Sequence, residues 1–167
     1  MKNVFLVCAV LMASVLTVCG QSLYPAVKGF QGSQLPKVFL IGEYSEEFEA
    51  MSAEYKDNLM SVCNYDMDVA YKKWMSMLQE METYSDRIDY DLKGIKIWLK
   101  VFIEPDGTVK HIAYYLKPRS RNVDVEELTA FLSSFMNNYK FPLINKTRYS
   151  HYGSASFPTI PQVATDK

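Results

Sequence analysis

The sequence predicts a single α+β domain, a small antiparallel β-sheet of about three strands, with room for a fourth, packed by α-helices. Three observations predict it. Residues 95–103 alternate Ile95, Ile97, Leu99, Val101 and Ile103 with Lys96, Trp98, Lys100 and Phe102, a period of two in β-branched and aromatic side chains. Glu104, Pro105, Asp106, Gly107 and Thr108 follow as turn chemistry, with Pro105 presetting φ and Gly107 free to take the left-handed conformation that closes a hairpin. Finally, three stretches with helical periodicity flank the hairpin, two before it and one after.

Taken in order, residues 1–20 read as an export address. Lys2 supplies the positive start, residues 4–18 are almost unbroken apolar, and Thr17, Val18, Cys19, Gly20 and Gln21 offer a small-residue exit. The run is about fifteen residues where a spanning helix needs about twenty, so a cleaved signal is expected, with the mature chain starting at Gln21 in the periplasm. The alternative is a lipoprotein anchored through Cys19, against which the bulky Val18 counts. Either cut removes Cys8, and the first leaves Cys63 as the one cysteine, expected buried and inert.

Residues 21–44, with Pro25, Gly29, Gly32 and Pro36, read as an extended lead-in, and residues 37–41 as a short strand or a tucked apolar segment. Ser45 is the expected N-cap of a helix over 46–63, with Glu46, Glu47 and Glu49 at its positive end and Phe48, Met51, Tyr55, Leu59 and Val62 on one face. A second helix starts at Asp66 or Asp68 and runs to about Tyr84 on Ala70, Trp74, Met77, Leu78 and Met81. The return strand after the turn changes phase between Val109 and Ile112, which predicts an irregularity near Lys110 and His111. Asp124 and Glu127 stand as a capping pair for a helix carrying Leu128, Phe131, Leu132, Phe135, Met136 and Tyr139. A last strand spans 148–157. The domain is expected over 45–160, with 161–167 as a disordered tail.

At 167 residues, the chain can bury one core. Its formal net charge of −1, with both signs spread along the chain, offers no basic stripe for nucleic acid. The twelve Tyr, nine Phe and two Trp exceed what a small core needs, so some rings are expected on a surface or in a groove.

The order helix, strand, strand, helix, strand over 66–157, the run Val101, Phe102, Ile103, Glu104, Pro105, Asp106, Gly107, Thr108, Val109, and the step Phe141-Pro142 before the last strand together resemble the C-terminal domain of TonB-type energy transducers. The whole chain is also similar to a group of small exported proteins of unknown role from Bacteroidetes-type Gram-negative bacteria. The seven prolines are scattered rather than gathered in a linker, and the apolar segment is short, so energy transduction is not what the resemblance implies here. It implies the fold and a binding mode in which an extended peptide adds to an exposed sheet edge, with a protein or peptide partner at the cell envelope and no permanent transmembrane helix.

No Gly-rich phosphate loop, HExxH, CxxC or calcium loop occurs, and His111 and His151 lie in no catalytic motif; no enzyme activity and no cofactor are expected. Met67, Met75, Met77 and Met81 are soft donors, but Met is also the usual filler of irregular cores, and no metal site is assigned. Asn145, Lys146 and Thr147 form a sequon read as chance. The expected binding residues are Trp98, Phe102 and Tyr115 on the sheet face turned away from the helices, which is either covered by the helix over 46–63 or a binding or dimer surface, and Tyr149, His151 and Tyr152 on the last strand, read as an undefended edge. That edge is closed instead if residues 37–41 pair there. The alternative is a small hydrophobic-ligand or lipid carrier with an aromatic pocket under the first helix. A third reading, a hydrolase, requires a His and a carboxylate gathered in one cleft.

Overall fold

The period-two run becomes the central strand of the sheet in the computed structural model, which describes residues 35–159. In chain order the elements are β1 (Val38–Leu40), α1 (Ser45–Glu54), β2 (Asp57–Asn58), α2 (Leu59–Val62), α3 (Met67–Arg87), β3 (Lys96–Ile103), β4 (Val109–Leu116), α4 (Val125–Asn138) and β5 (Tyr149–Ser156). The fold is α+β. The sheet has five strands in the order β1-β4-β3-β5-β2 and is mixed, correcting the expected antiparallel sheet of about three. β3 runs antiparallel to β4 and β5, whereas β1 lies parallel to β4 and β2 parallel to β5. The added strands are three and two residues long, too short for any period to show, and they are strands because the eight-residue β4 and β5 offer them an edge.

Ile95, Ile97, Leu99, Val101 and Ile103 all turn to one side and are buried with Trp74, Met77, Leu78 and Met81 of α3 and Leu128, Phe131, Leu132 and Phe135 of α4. Asp66 caps α3 by accepting the Val69 N–H at 3.0 Å, and Asp124 caps α4 by accepting from Glu126 and Glu127. α3 continues to Arg87, one turn past the expected end. In the hairpin Phe102 opposes His111 while Ile103 opposes Val109, so Lys110 is the extra residue of a bulge, where the phase change placed it. Gly107 sits at φ +85°, and its N–H donates to Glu104 O at 2.9 Å. Asp106 holds the turn through the Thr108 N–H and the Lys140 ammonium, which keep its pKa down to about 2.

The single helix expected over 46–63 is two helices. Tyr55 leaves the helical conformation (φ −98°, ψ 71°) because its ring packs edge-on to Phe102 at 5.0 Å and its hydroxyl donates to Glu104 Oε1 at 2.7 Å. Asp57 and Asn58 then pair with β5, and Asn58 opens α2 through a reciprocal cap with Ser61. Ser45 is the first residue of α1 rather than its cap, which is Tyr44. The segment expected over 37–41 does hold a strand, β1, but it lies on β4, with Val38 opposite Ile112, and not on β5. Cys63 is free and buried, and burial raises its thiol pKa. Among the described residues no helix is long and apolar enough to cross a membrane. The segment 1–20 expected as an export signal, residues 21–34 of the expected lead-in and the expected tail 161–167 lie outside the described residues.

Candidate functional site

Alternation along β3 sends Lys96, Trp98, Lys100 and Phe102 to the face opposite α3 and α4. Register sets beside them Tyr115, Ala113 and His111 from β4 and Ser156, Ser154, Tyr152 and Ser150 from β5. α1 covers one end of this face. Phe48 and Tyr55 meet Phe102 edge-on at 6.0 and 5.0 Å, and Phe39 meets Phe48 at 6.2 Å. Phe102 is thus fully buried, with Phe48 and Tyr55 packed on it on the side where the carrier alternative placed an aromatic pocket.

The other end is open. Trp98 is half-buried and stacks on Tyr152, centroids 5.4 Å apart and planes 8° from parallel. Lys117 Nζ lies over the Trp98 ring at 4.6 Å. Tyr115 and Tyr152 are 54% and 52% exposed. Of the expected binding residues, the fold therefore gathers Trp98, Tyr115 and Tyr152. Tyr149 is a core residue whose hydroxyl donates to Leu143 O at 3.0 Å. His151 faces the helices, its ring 4.6 Å from that of Trp74. Lys117 belongs to the open face and was missed, although its parity with Tyr115 two residues earlier carries the signal.

β5 was expected at the edge of the sheet; β2 takes that place, but over only Tyr149 and Ser150. Beyond Ser150 no described strand pairs with the outer side of β5. The hydrogen-bonding phase follows from Phe157, whose N–H donates to Ile95 O at 2.9 Å. In an antiparallel pair the inward-bonded residues alternate. Residues 149, 151, 153 and 155 therefore bond to β3, and Tyr152, Ser154 and Ser156 turn their N–H and C=O outward. The side chains of those same three residues lie on the open face and are exposed. The strand holds no Lys and no Pro, so nothing of the usual kind defends the edge.

His151 has a pH consequence. Burial, with the nearby Lys100 charge adding to it, pushes its pKa down to about 4, against about 6.5 for an unperturbed imidazole. The unfolded chain then binds the proton more readily than the folded one. The stability tied to the neutral ring is fully present above about pH 6.5 and lost as pH falls through about 4. We expect this residue to account for roughly 1–2 kcal/mol of lost stability on acidification. Urea titrations over that window should show a shallower slope in His151→Gln; an identical slope would refute the assignment.

A cleft of about 470 Å³ along the side of α1 brings together His111, Glu104, Arg148 and Tyr55, a network that sequence reasoning did not anticipate because its members are scattered along the chain. Glu104 is held by the Tyr55 hydroxyl and by Arg148 at 3.6 Å, and His111 Nδ1 by Pro36 O at 2.9 Å. The cleft thus holds the His and carboxylate pair that the hydrolase reading requires, but no described Ser or Cys lines it, so no Ser- or Cys-based triad is assembled there. Met77 and Met81 are buried in the core, while Met67 is exposed. Among the described residues no three His, Cys, Asp or Glu side chains group to hold a metal ion.

Compared with known proteins, the chain matches no family model, no curated protein and no solved structure.

Proposed function

We propose that the chain is a non-enzymatic binding module that takes an extended peptide as an added strand along β5. The observation that carries this reading is the run of outward backbone groups at Tyr152, Ser154 and Ser156, three N–H and three C=O without a strand partner among the described residues. Such a row is a template for a further strand, its backbone bonds giving affinity and its alternating side chains selectivity. The reading extends to a TonB C-terminal-domain-like arrangement for α3-β3-β4-α4-β5 and, from the apolar segment 4–18, to a periplasmic setting.

Hydrogen-bond phase decides which substitution tests it. Proline at Ala155, an obvious choice while β5 counts as an edge strand, would remove a donor bonded to β3 at a buried position, and should cost about 3 kcal/mol or more. Ser154→Pro removes an outward donor instead. It follows Gly153, which tolerates the restriction Pro places on its predecessor, and should cost under about 1 kcal/mol. Peptides selected from a random display library on the full chain should bind Ser154→Pro at least about tenfold more weakly, and should protect the amides of residues 152, 154 and 156 from hydrogen exchange. Unchanged binding to a folded Ser154→Pro protein means that the edge is not the site.

A further inference from the structure

The open face carries charge that the edge by itself does not call for. Lys96, Lys100 and Lys117 surround Trp98 and Tyr152, and among the described residues none of them has a carboxylate partner. Lys100 is the most exacting. Its ammonium lies over the Phe102 ring at 5.5 Å and is partly withdrawn from water, which lowers its pKa. A partly desolvated cation held only against a ring gains from any anion that can approach it.

The rings restrict what kind of ligand fits. Tyr152 reaches Trp98 from the β5 side and Lys117 from the β4 side, so both faces of Trp98 are occupied. It offers no platform on which a sugar or a base could stack. Tyr152 stays half-exposed outside that stack, and it stands on the strand beside which an added strand would run. Such a strand lies about 4.8 Å outside β5 and about 10 Å from β3. Its side chains would flank Tyr152, and a Glu on it would meet Lys100 or Lys96 halfway. A second copy of the chain would bring the same lysines again, adding like charge instead of neutralising it.

We infer that the peptide taken on β5 is acidic and aromatic: a ring on the residue beside Tyr152 continues the stack Lys117–Trp98–Tyr152, and carboxylates next to it on the same face neutralise Lys100 and Lys96. This rests on the strand-addition reading of β5 and names the class of peptide that the edge selects.

The test uses the full chain and labelled peptides about seven residues long, alternating Thr with Glu, Phe and Glu, followed by fluorescence anisotropy. Matched peptides carry Lys for Glu, or Ser for Phe. The acidic aromatic peptide should bind at least about tenfold more tightly than its Lys counterpart, weaken as salt is raised, and quench Trp98. Lys100→Gln should shrink the preference to about twofold; if that variant's denaturation midpoint drops, Lys96→Gln, on a more peripheral pair with Ser156, serves in its place. Equal binding of acidic and basic peptides, both lost in Ser154→Pro, overturns the acidic preference and leaves strand addition standing. No binding by any of them, with no protection of residues 152, 154 and 156 by library-selected peptides either, overturns both. A dimer in sedimentation that Ser154→Pro dissociates would make the occupant a second copy and overturn the inference.

Discussion

Gly107→Val should lower stability by roughly 3–5 kcal/mol, more than the left-handed backbone alone would cost. A β-branched residue at φ +85° is strained by about 1–2 kcal/mol. The further loss comes from a close approach. A Cβ at this position would fall on the carbonyl oxygen of Phe141, the residue whose own N–H donates to Gly107 O at 2.9 Å. The hairpin and the segment entering the last strand cannot both keep their places, and that hydrogen bond is lost as well. Gly42 separates the two causes, since it also has positive φ, +105°, but its Cβ would meet nothing within 4 Å. Urea denaturation of Gly107→Val and Gly42→Val should therefore show a much larger fall in midpoint for the first. Equal falls would mean that the Phe141 approach carries no energy.

Phe102→Ala should cost about 3–4 kcal/mol, in the range for a fully buried ring, and should release α1 from the sheet. Phe102 is the point on which Phe48 and Tyr55 converge. With it removed, the Tyr55 hydroxyl loses the wall that places it against Glu104. Near-ultraviolet circular dichroism should lose part of its tyrosine signal, and amides of residues 45–54 should exchange faster than those of α3. A binding role for Phe102, as the alternation of β3 invites, would instead leave stability unchanged and weaken ligand. Trp98→Ala makes the contrast, since that ring is half-exposed and its loss should tell more on peptide binding than on the midpoint.

The two aromatic residues share one strand face, and nothing local distinguishes them. Alternation shows that Trp98 and Phe102 point together, away from Ile97, Leu99 and Val101. What separates them is how far α1 reaches, and α1 stops at Glu54 because Tyr55 is drawn to Phe102. The apolar period through Leu59 and Val62 concealed that break: Leu59 is buried as expected, but as part of a second helix set off by β2. Tyr149 and Tyr152 pose the same problem on β5. Both are aromatic, one is wholly buried and the other half-exposed, and an odd spacing of three residues places them on opposite faces.

By itself the sequence determined the features whose causes are local. These are the β3–β4 hairpin with its positive-φ glycine and its bulge at Lys110, the caps at Asp66 and Asp124, and the buried faces of α3 and α4. Each follows from residues within a few positions of one another, where backbone sterics and side-chain period act directly. Tertiary structure alone decided the mixed five-stranded sheet, the pairing of β1 with β4 and of β2 with β5, and the extent of edge left open on β5. Two or three residues cannot show a period, and their strand state comes from backbone groups supplied by a partner some seventy to ninety positions away, as in Val38 opposite Ile112 and Asp57 opposite Tyr149. The candidate site is decided at that same level, because which of Tyr152 and Ala155 turns its N–H to solvent depends on the phase of a ladder closed at Ile95 and Phe157.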